Sequence, residues 1–465
     1  MSDRPDPELR PSWSVSDRFL PRTVLRPLQD FLSTSTASAF LLLIAAVVAL
    51  VWANSPFGDA YDSLWHTEIG VGVGSWSIEL DLQHWVNDGL MALFFLVVGL
   101  EIKREVLQGE LREPKAAALP AIAAVGGMVV PAALYVALNP GGEGAAGWGI
   151  PMATDIAFAL GVLTLAARHA PATIKPFVLT LAIVDDIGAI LVIALFYSGG
   201  VSTTPLIVAA VVIAVVVALQ RIGVRANTVY VVLAVALWLA TYEAGIHPTI
   251  AGVLMGLLTP LDPFQPPAAV SREAIRTADE TDDDPDEPDA GAHLWLRLAT
   301  LSKEAVSPLV RVEHALLPWT SFVIVPIFAL ANAGVDLSAG SLRDALTSRI
   351  TLGVIVGLVV GKTLGIWAAS ALAVRLGVAR LPSGVDLRHV LGAGAVAGIG
   401  FTVALFITEL AFDDAVLRDE AKIGILIASI AAGLLGWLLL RLAPTDTGAA
   451  DGLAERASAP PASGG

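Results

Sequence analysis

The chain has 465 residues, of which 55% are hydrophobic and 15% are charged, a composition that excludes a soluble globular protein of this size. Cysteine is absent, which excludes disulfides, thiolate metal sites and thiol redox chemistry. More than half of the formal net charge of −15 can be traced to eight acids within 279–289, a block typical of a solvated, disordered loop.

The expected fold class is an all-α polytopic membrane protein. Segment 1–30 carries five arginines without the order of a signal peptide, so we expect a cytoplasmic tail with at most an amphipathic surface helix. The membrane domain is predicted over 31–441, followed by a disordered tail over 442–465. About twelve apolar stretches approach the roughly 20 residues that span a bilayer. They lie near 38–54, 84–107, 115–137, 146–167, 174–197, 204–220, 228–244, 246–260, 317–335, 351–374, 388–411 and 421–441.

Basic residues in the short loops predict the orientation of these spans. The loops after spans two, four, six and ten contain lysine or arginine, whereas loops 55–83, 138–145 and 198–203 contain none. The basic loops and both termini are therefore predicted to be cytoplasmic. Two nominally outside loops break the rule, one with two arginines and one with Arg418 and Lys422.

The first outside loop predicts a small β-hairpin. In VGVGSWSIELDL (71–82), apolar residues alternate with small or polar ones around a Gly-Ser turn. Because an isolated hairpin is only marginally stable in water, we expect it to pair with a second copy of the chain and form a homodimer.

Asp185 and Asp186 are the only charged residues between Pro176 and Tyr197. Two central aspartates cost about 5–7 kcal/mol on membrane insertion, and the large apolar residues of this segment return about 4–8 kcal/mol. The free energy of insertion is therefore only slightly favourable. Acids at such depth usually mark an ion or proton path, and a purely structural pair is less favoured. Since adjacent helical residues point about 100° apart, the two carboxylates are expected to do different jobs.

Three other segments place polar groups at membrane depth. Thr154 and Asp155 follow Pro151, which disrupts an interior helix, so an interrupted helix is predicted there. Lys362 is one of six lysines and the only one predicted to lie deep in a span. Four glycines within 392–400 favour a second unwound segment or a close helix crossing.

Two broken helices that meet would present positive N-terminal and negative C-terminal dipole ends. Asp155 beside the former and Lys362 beside the latter would neutralise both; for Asp155, direct ion contact is an equally favoured role. The interrupted spans are the middle members of spans three to five and ten to twelve, which predicts an inverted repeat. Core helices are expected over about 115–197 and 351–441, interface helices over about 38–107 and 204–335, and an acidic cytoplasmic loop over 265–295.

Six strings carry a family resemblance: NDGLMALFFLVVGLEIKRE (87–105), ATDIAFALG (153–161), VDDIGAI (184–190), IFALANAGV (327–335), GKTLGI (361–366) and GIGFTVALFI (398–407). From about residue 30 to 441 the chain resembles the bacterial NhaA family of sodium/proton antiporters. The resemblance implies an inner-membrane transporter, not an enzyme, that serves pH and sodium homeostasis, with interrupted, crossed helices four and eleven. Its partners would be Na⁺ or Li⁺, H⁺ and lipid, with no cofactor and no nucleic acid.

The resemblance also implies residue roles. Asp186 would be the principal cation ligand and proton carrier, and Asp185 a second essential carboxylate able to pair with Lys362. Thr154 and Asp155 would lie beside the ion at the helix crossing. Asp88 would be a further membrane acid with a less direct role. The residues associated with pH response would be Glu101, Arg104, Glu105, His247, Glu313 and His314.

Ordinary structural roles compete with the pH-response assignment. His247 begins a span, where histidine often serves as a helix-end hydrogen-bonding residue. Glu101, Arg104 and Glu105 have the one-turn spacing of routine helical ion pairs. Two residues, Leu317 and Glu409, depart from the family pattern and bear on the pH profile, not on the transport site.

The implied mechanism depends on the paired carboxylates. Neighbouring acids titrate as a coupled pair, and hard cations prefer oxygen ligands, so a proton and Na⁺ compete for the same atoms. If both Asp185 and Asp186 lose protons when one cation enters, more than one H⁺ moves per Na⁺ and the cycle is electrogenic. Lys362 either releases Asp185 on cation binding or carries a proton itself.

Two other functions compete with antiport. An intramembrane aspartyl protease could use Asp155 and Asp186 as a dyad, but the GxGD motif is absent and a nearby lysine opposes proton sharing. A sodium-coupled organic-anion transporter of similar architecture would rely on hydroxyl and amide ligands and would not need adjacent aspartates.

Overall fold

The computed structural model describes residues 37–74, 76–166, 171–281 and 291–443. Three sequence-based expectations fall wholly or mainly outside these ranges: the 1–30 tail, the acidic block 279–289 and the C-terminal tail 442–465.

The described chain is mostly helical and carries one two-stranded sheet. Its main elements are α1 (Ala37–Ala53), α2 (Gly58–Trp65), β1 (Glu68–Val73), β2 (Trp76–Asp81), α3 (Met91–Gln108), α4 (Pro114–Leu138), α5 (Ile156–Ala166), α6 (Ile174–Phe196), α7 (Thr203–Ile222), α8 (Asn227–Glu243), α9 (Thr249–Leu258), α10 (Pro267–Thr281), α11 (Ala292–Glu304), α12 (Pro308–Trp319), α13 (Val325–Asn332), α14 (Ala339–Thr347), α15 (Arg349–Ile355), α16 (Lys362–Arg375), α17 (Leu387–Ala397), α18 (Phe401–Ala411) and α19 (Ala415–Leu442). Shorter helical segments are the turn Leu82–His84, the 3₁₀ segments Glu110–Arg112 and Glu143–Met152, and the π-helical segments Trp85–Leu90, Thr320–Ile324 and Val356–Gly361.

Each of the twelve predicted apolar stretches coincides with helix. Among the described residues, six helices are long and apolar enough to cross a membrane, and up to nine spans result if each of three bent pairs counts as one. Glu143–Met152 and α5 meet at a bend of 46°, and α17 and α18 meet at a bend of 49°. The interruptions predicted after Pro151 and among the glycines of 392–400 are therefore both present.

The predicted hairpin is confirmed. Strands β1 and β2 are antiparallel, with Glu68 opposite Asp81 and Val73 opposite Trp76. Gly74 in the turn has a φ of 68°, a left-handed conformation that glycine adopts without steric cost. The hairpin backbone is tied to the following helical turn, because Leu82 donates its N–H to the carbonyl of Thr67 at 3.0 Å.

Close helix contacts at glycine bring the polar residues together. A Cβ on Gly365 of α16 would lie 2.3 Å from the carbonyl oxygen of Gly126 of α4, so these helices can approach this closely only without side chains there. A Cβ on Gly398, between α17 and α18, would lie 2.4 Å from the carbonyl oxygen of Leu358. The π-helical segment that contains Leu358 ends immediately before Lys362, and such segments often occur at functional sites.

Candidate functional site

Lys362 and Asp185 form a buried ion pair where α16 meets α6. Both side chains are 0% exposed, and the Lys362 ammonium donates a short hydrogen bond to Oδ2 of Asp185. The ammonium also donates to the hydroxyl of Thr154 at 2.8 Å, and that hydroxyl donates to the carbonyl of Ala397 at 2.8 Å. Lys362 therefore reaches the C-terminus of α17 through Thr154, not by the direct placement that we expected.

Asp155 lies at the N-termini of two half-helices. Its Oδ1 accepts from the backbone N–H of Phe158 in α5 at 3.0 Å. Its Oδ2 accepts from the backbone N–H of Thr402 at 3.2 Å and from the Thr402 hydroxyl at 2.6 Å, at the start of α18. The backbone N–H of Asp155 donates to Ile399 at 2.7 Å, which joins the two interruptions directly. This geometry matches dipole compensation, since both carboxylate oxygens face helix N-termini.

The neighbouring aspartates differ in their surroundings. Asp186 is 7% exposed, whereas Asp185 is fully buried against Lys362. Within the part of the chain that the structure describes, Oδ1 of Asp185 and Oδ1 of Asp186 are buried and accept no hydrogen bond. A buried acceptor without a donor is costly, so each of these two oxygens has a free position for a cation or a proton.

A cation at these aspartates would need further oxygen ligands. Among the described residues, no group of three or more histidine, cysteine or acidic side chains is arranged to hold a metal ion. Na⁺ as a transported substrate would therefore complete its shell with hydroxyl or carbonyl oxygens or with water, ligands that hard cations accept.

The residues expected to respond to pH do not form one cluster. At the end of α3, Nη1 of Arg104 pairs with Oε1 of Glu313 in α12 at 2.6 Å, and Glu101 lies close enough for its charge to interact with Glu313 and Asp186. Arg104 thus reaches another helix, not only its one-turn neighbours. Glu105 accepts from the backbone N–H of residue 110 at 2.9 Å, and His314 is exposed.

Asp88 and His247 lie elsewhere. Oδ1 of Asp88 is 3.8 Å from Nδ1 of His247, whose ring packs edge-on against Phe406 with centroids 5.5 Å apart. Asp88 and Glu101 are thirteen positions apart, which places them about 20 Å apart along their shared helical segment. The implied pH-response group is therefore divided between two regions of the molecule.

A second buried charge cluster was missed by the sequence analysis. Glu409 of α18 pairs with Lys422 at 2.6 Å and with Arg418 at 3.0 Å, both in α19, and its side chain is 7% exposed. Lys422 itself is 6% exposed, so a second lysine is buried among the described residues, near the start of α19. The sequence contained a signal for this cluster. Glu409 is an acid in an apolar helix, and the two basic residues in the nominal outside loop that follows are the nearest candidates to neutralise it.

Thr402 was also missed as a partner of Asp155. Its position directly after the glycine-rich segment, at the first turn of a predicted half-helix, is where side chains and anions meet backbone N–H groups. The sequence signal shows that this helical turn can bind an anionic group. It does not show that the group is Asp155, which lies 247 residues earlier in the chain.

Similarity to known proteins extends over nearly the whole chain. A family model described as Na⁺/H⁺ antiporter 1 matches residues 29–440. The chain is 48% identical over 454 residues to "Na(+)/H(+) antiporter NhaA 2" of Sorangium cellulosum, with 97% of each chain covered. It is 48% identical over 426 residues to the protein of the same name from Myxococcus xanthus, with 91% of this chain and 90% of the relative covered. It is 46% identical over 419 residues to "Na(+)/H(+) antiporter NhaA" of a Janthinobacterium species, with 88% and 91% covered.

Proposed function

This chain belongs to the Na⁺/H⁺ antiporter 1 family, and we propose that its exchange of Na⁺ for H⁺ takes place at the oxygens of Asp185 and Asp186. The protein is a multi-pass membrane transporter and not an enzyme. The observation that carries the proposal is the pair of buried Oδ1 atoms on adjacent aspartates that accept no hydrogen bond within the described ranges. Each can hold a proton or contribute to a Na⁺ shell, and binding of one ion excludes the other.

The remaining site residues support this exchange in different ways. Asp155 balances the dipoles of α5 and α18, and Thr154 links Lys362 to the end of α17. When Na⁺ draws Asp185 away, Lys362 either loses its partner or gives up a proton of its own. If Lys362 gives up its proton together with that of Asp186, two H⁺ leave per Na⁺ and the cycle is electrogenic; if Lys362 stays charged, the second H⁺ must come from an Asp185 that was protonated before Na⁺ entered. Li⁺ is expected to use the same oxygens.

The architecture proposed for this activity has twelve spans arranged as an inverted repeat. Helices four and eleven cross at their interruptions, an arrangement supported by the hydrogen bonds from Thr154 to Ala397 and from Asp155 to Ile399. The core bundle, about 115–197 and 351–441, rocks against an interface bundle, about 38–107 and 204–335, and so opens the site to alternate sides of the membrane.

The cellular setting is proposed to be the bacterial inner membrane, with both termini cytoplasmic and pH and sodium homeostasis as the role. Assembly as a homodimer through the hairpin is supported by the exposure of its apolar side chains, 42% for Ile69 and 52% for Val71. The titratable residues form two separate groups, one near Glu313 and one near Asp88, and both are proposed to set the pH range of transport.

The decisive experiment follows an internal pH probe in inverted membrane vesicles after addition of NaCl, LiCl or KCl. Asp186→Asn and Asp185→Asn should each abolish the Na⁺ response. Asp344→Asn, which neutralises an exposed acid of α14, should respond like the wild type. Full Na⁺ responses from the two site variants would show that exchange takes place elsewhere, while the family assignment would still stand.

A further inference from the structure

Helices α10 and α11 form a unit between the apolar helices α9 and α12. The two helices pack against each other, and Nη2 of Arg297 in α11 lies 3.5 Å from Oε1 of Glu273 in α10. Three leucines at helical spacing, Leu294, Leu298 and Leu301, are the half-buried residues of the central turns of α11. Their spacing places them on one face of the helix, on the side from which Arg297 reaches α10.

The opposite face of α11 carries a second apolar stripe. Ala292, Trp295, Leu296 and Ala299 follow the spacing i, i+3, i+4 and i+7, which places them on one side of a helix. All four are exposed, with 49% of Trp295 and 70% of Leu296 accessible. The leucine face already packs against α10. The second apolar face of α11 is therefore left without a packing partner among the described residues.

The end of α11 is fixed next to the ends of apolar helices. Oε2 of Glu304 pairs at 2.7 Å with Nη1 of Arg225, which lies two residues before α8. Gln265 donates its backbone N–H to the Glu304 carbonyl at 3.1 Å. Exposed apolar side chains continue from α11 through Val306 to Val310 at the start of α12, each 41% accessible. Exposed apolar side chains therefore lie on both sides of the junction between α11 and the apolar helix α12.

One basic side chain of α11 lies on the same face as the stripe. The helix contains Arg297 and Lys303 and a single acid, Glu304, which is already paired with Arg225. Lys303 lies one turn beyond Ala299 on the same face as the stripe, where a long basic side chain can reach lipid phosphates while its stem covers apolar surface. Tryptophan and leucine on one face with a lysine beside them are typical of helices that lie in the membrane interface.

We propose that α11 lies on the surface of the phospholipid bilayer, with Trp295 and Leu296 inserted at the level of the lipid headgroups. The α10–α11 unit is then a membrane-bound element beside the transport domain. Its contact with lipid does not depend on which residues carry Na⁺ or H⁺.

The absence of cysteine allows a direct test with single introduced cysteines. A spin label at Leu296→Cys is measured in full-length protein in vesicles of phosphatidylcholine and phosphatidylglycerol. The matched control is Ser271→Cys, an exposed position of α10. The Leu296 label should collide several-fold more often with O₂ than with a water-soluble nickel complex, and the Ser271 label should show the reverse. Wild-type Na⁺/H⁺ exchange by both labelled proteins confirms that they are folded.

Two results would overturn the proposal. Equal access of the nickel complex to both labels would place the stripe in water. Shielding of the Leu296 label from both O₂ and the nickel complex would indicate a protein partner instead of lipid.

Discussion

Replacing Lys362 by methionine tests what stabilises Asp185 within the membrane domain. Both side chains are 0% exposed and paired with each other. Methionine keeps an unbranched apolar stem but leaves the carboxylate without its cation, and removing one partner of a buried ion pair costs about 3–5 kcal/mol. Loss of the hydrogen bond to Thr154 adds about 1 kcal/mol. We therefore expect the free energy of unfolding to fall by about 4–6 kcal/mol.

The assay is denaturant-induced unfolding in mixed micelles, followed by tryptophan fluorescence. The double variant Lys362→Met/Asp185→Asn should recover much of the loss, since a neutral pair has no uncompensated charge. Lys303→Met, at an exposed position, should change stability by less than about 1 kcal/mol. The reasoning is refuted if the Lys362 variant is as stable as the Lys303 variant, or if the double variant is no more stable than the single one.

Three other perturbations address separate parts of the structure. Thr402→Val removes the hydroxyl that donates to Asp155 and should lower the free energy of unfolding by about 1–3 kcal/mol, whereas Thr402→Ser should stay close to wild type; unfolding titrations distinguish them. Glu409→Ala leaves the buried ammonium of Lys422 without its carboxylate, with an expected loss of about 3–5 kcal/mol that an added Lys422→Met should largely restore in the same assay. Hydrogen bonds from an arginine and a glutamine lower the pKa of Glu304 below its ordinary 4.5. The Glu304 carboxylate therefore stabilises the position of α11 fully above pH 4.5, and this stabilisation is lost as the pH falls through the lower folded-state pKa. Amide hydrogen exchange in 292–304 should rise in that acidic range, and Glu304→Gln should remove the pH dependence.

Features written in short stretches of sequence were predictable. The hairpin follows from alternation around a glycine turn, and the break after Pro151 follows from a residue that cannot donate a helical hydrogen bond. The different surroundings of Asp185 and Asp186 follow from helix geometry alone, because neighbouring side chains point in different directions. Each of these signals acts within one or two helical turns.

Partners distant in the chain were not predictable from the residues themselves. Asp185 and Lys362 are 177 positions apart, and Asp155 and Thr402 are 247 positions apart. Nothing in either segment specifies the other, and helix packing brings them together. The π-helical segment before Lys362 is also invisible in composition, although its extra residue changes the direction in which the lysine points.

The pairing seen at the site implies an order of events in exchange. Asp185 already has a cation, because Lys362 neutralises it, whereas Asp186 has no basic partner among the described residues. Na⁺ can therefore approach Asp186 without displacing a positive charge, but it can engage Asp185 only at the expense of the lysine contact. We expect Asp186→Asn to abolish Na⁺ binding measured by calorimetry, and Lys362→Met to leave binding intact while changing the number of protons released per Na⁺. Equal loss of Na⁺ affinity in the two variants would contradict this order, since it would require the lysine to take part in the first contact.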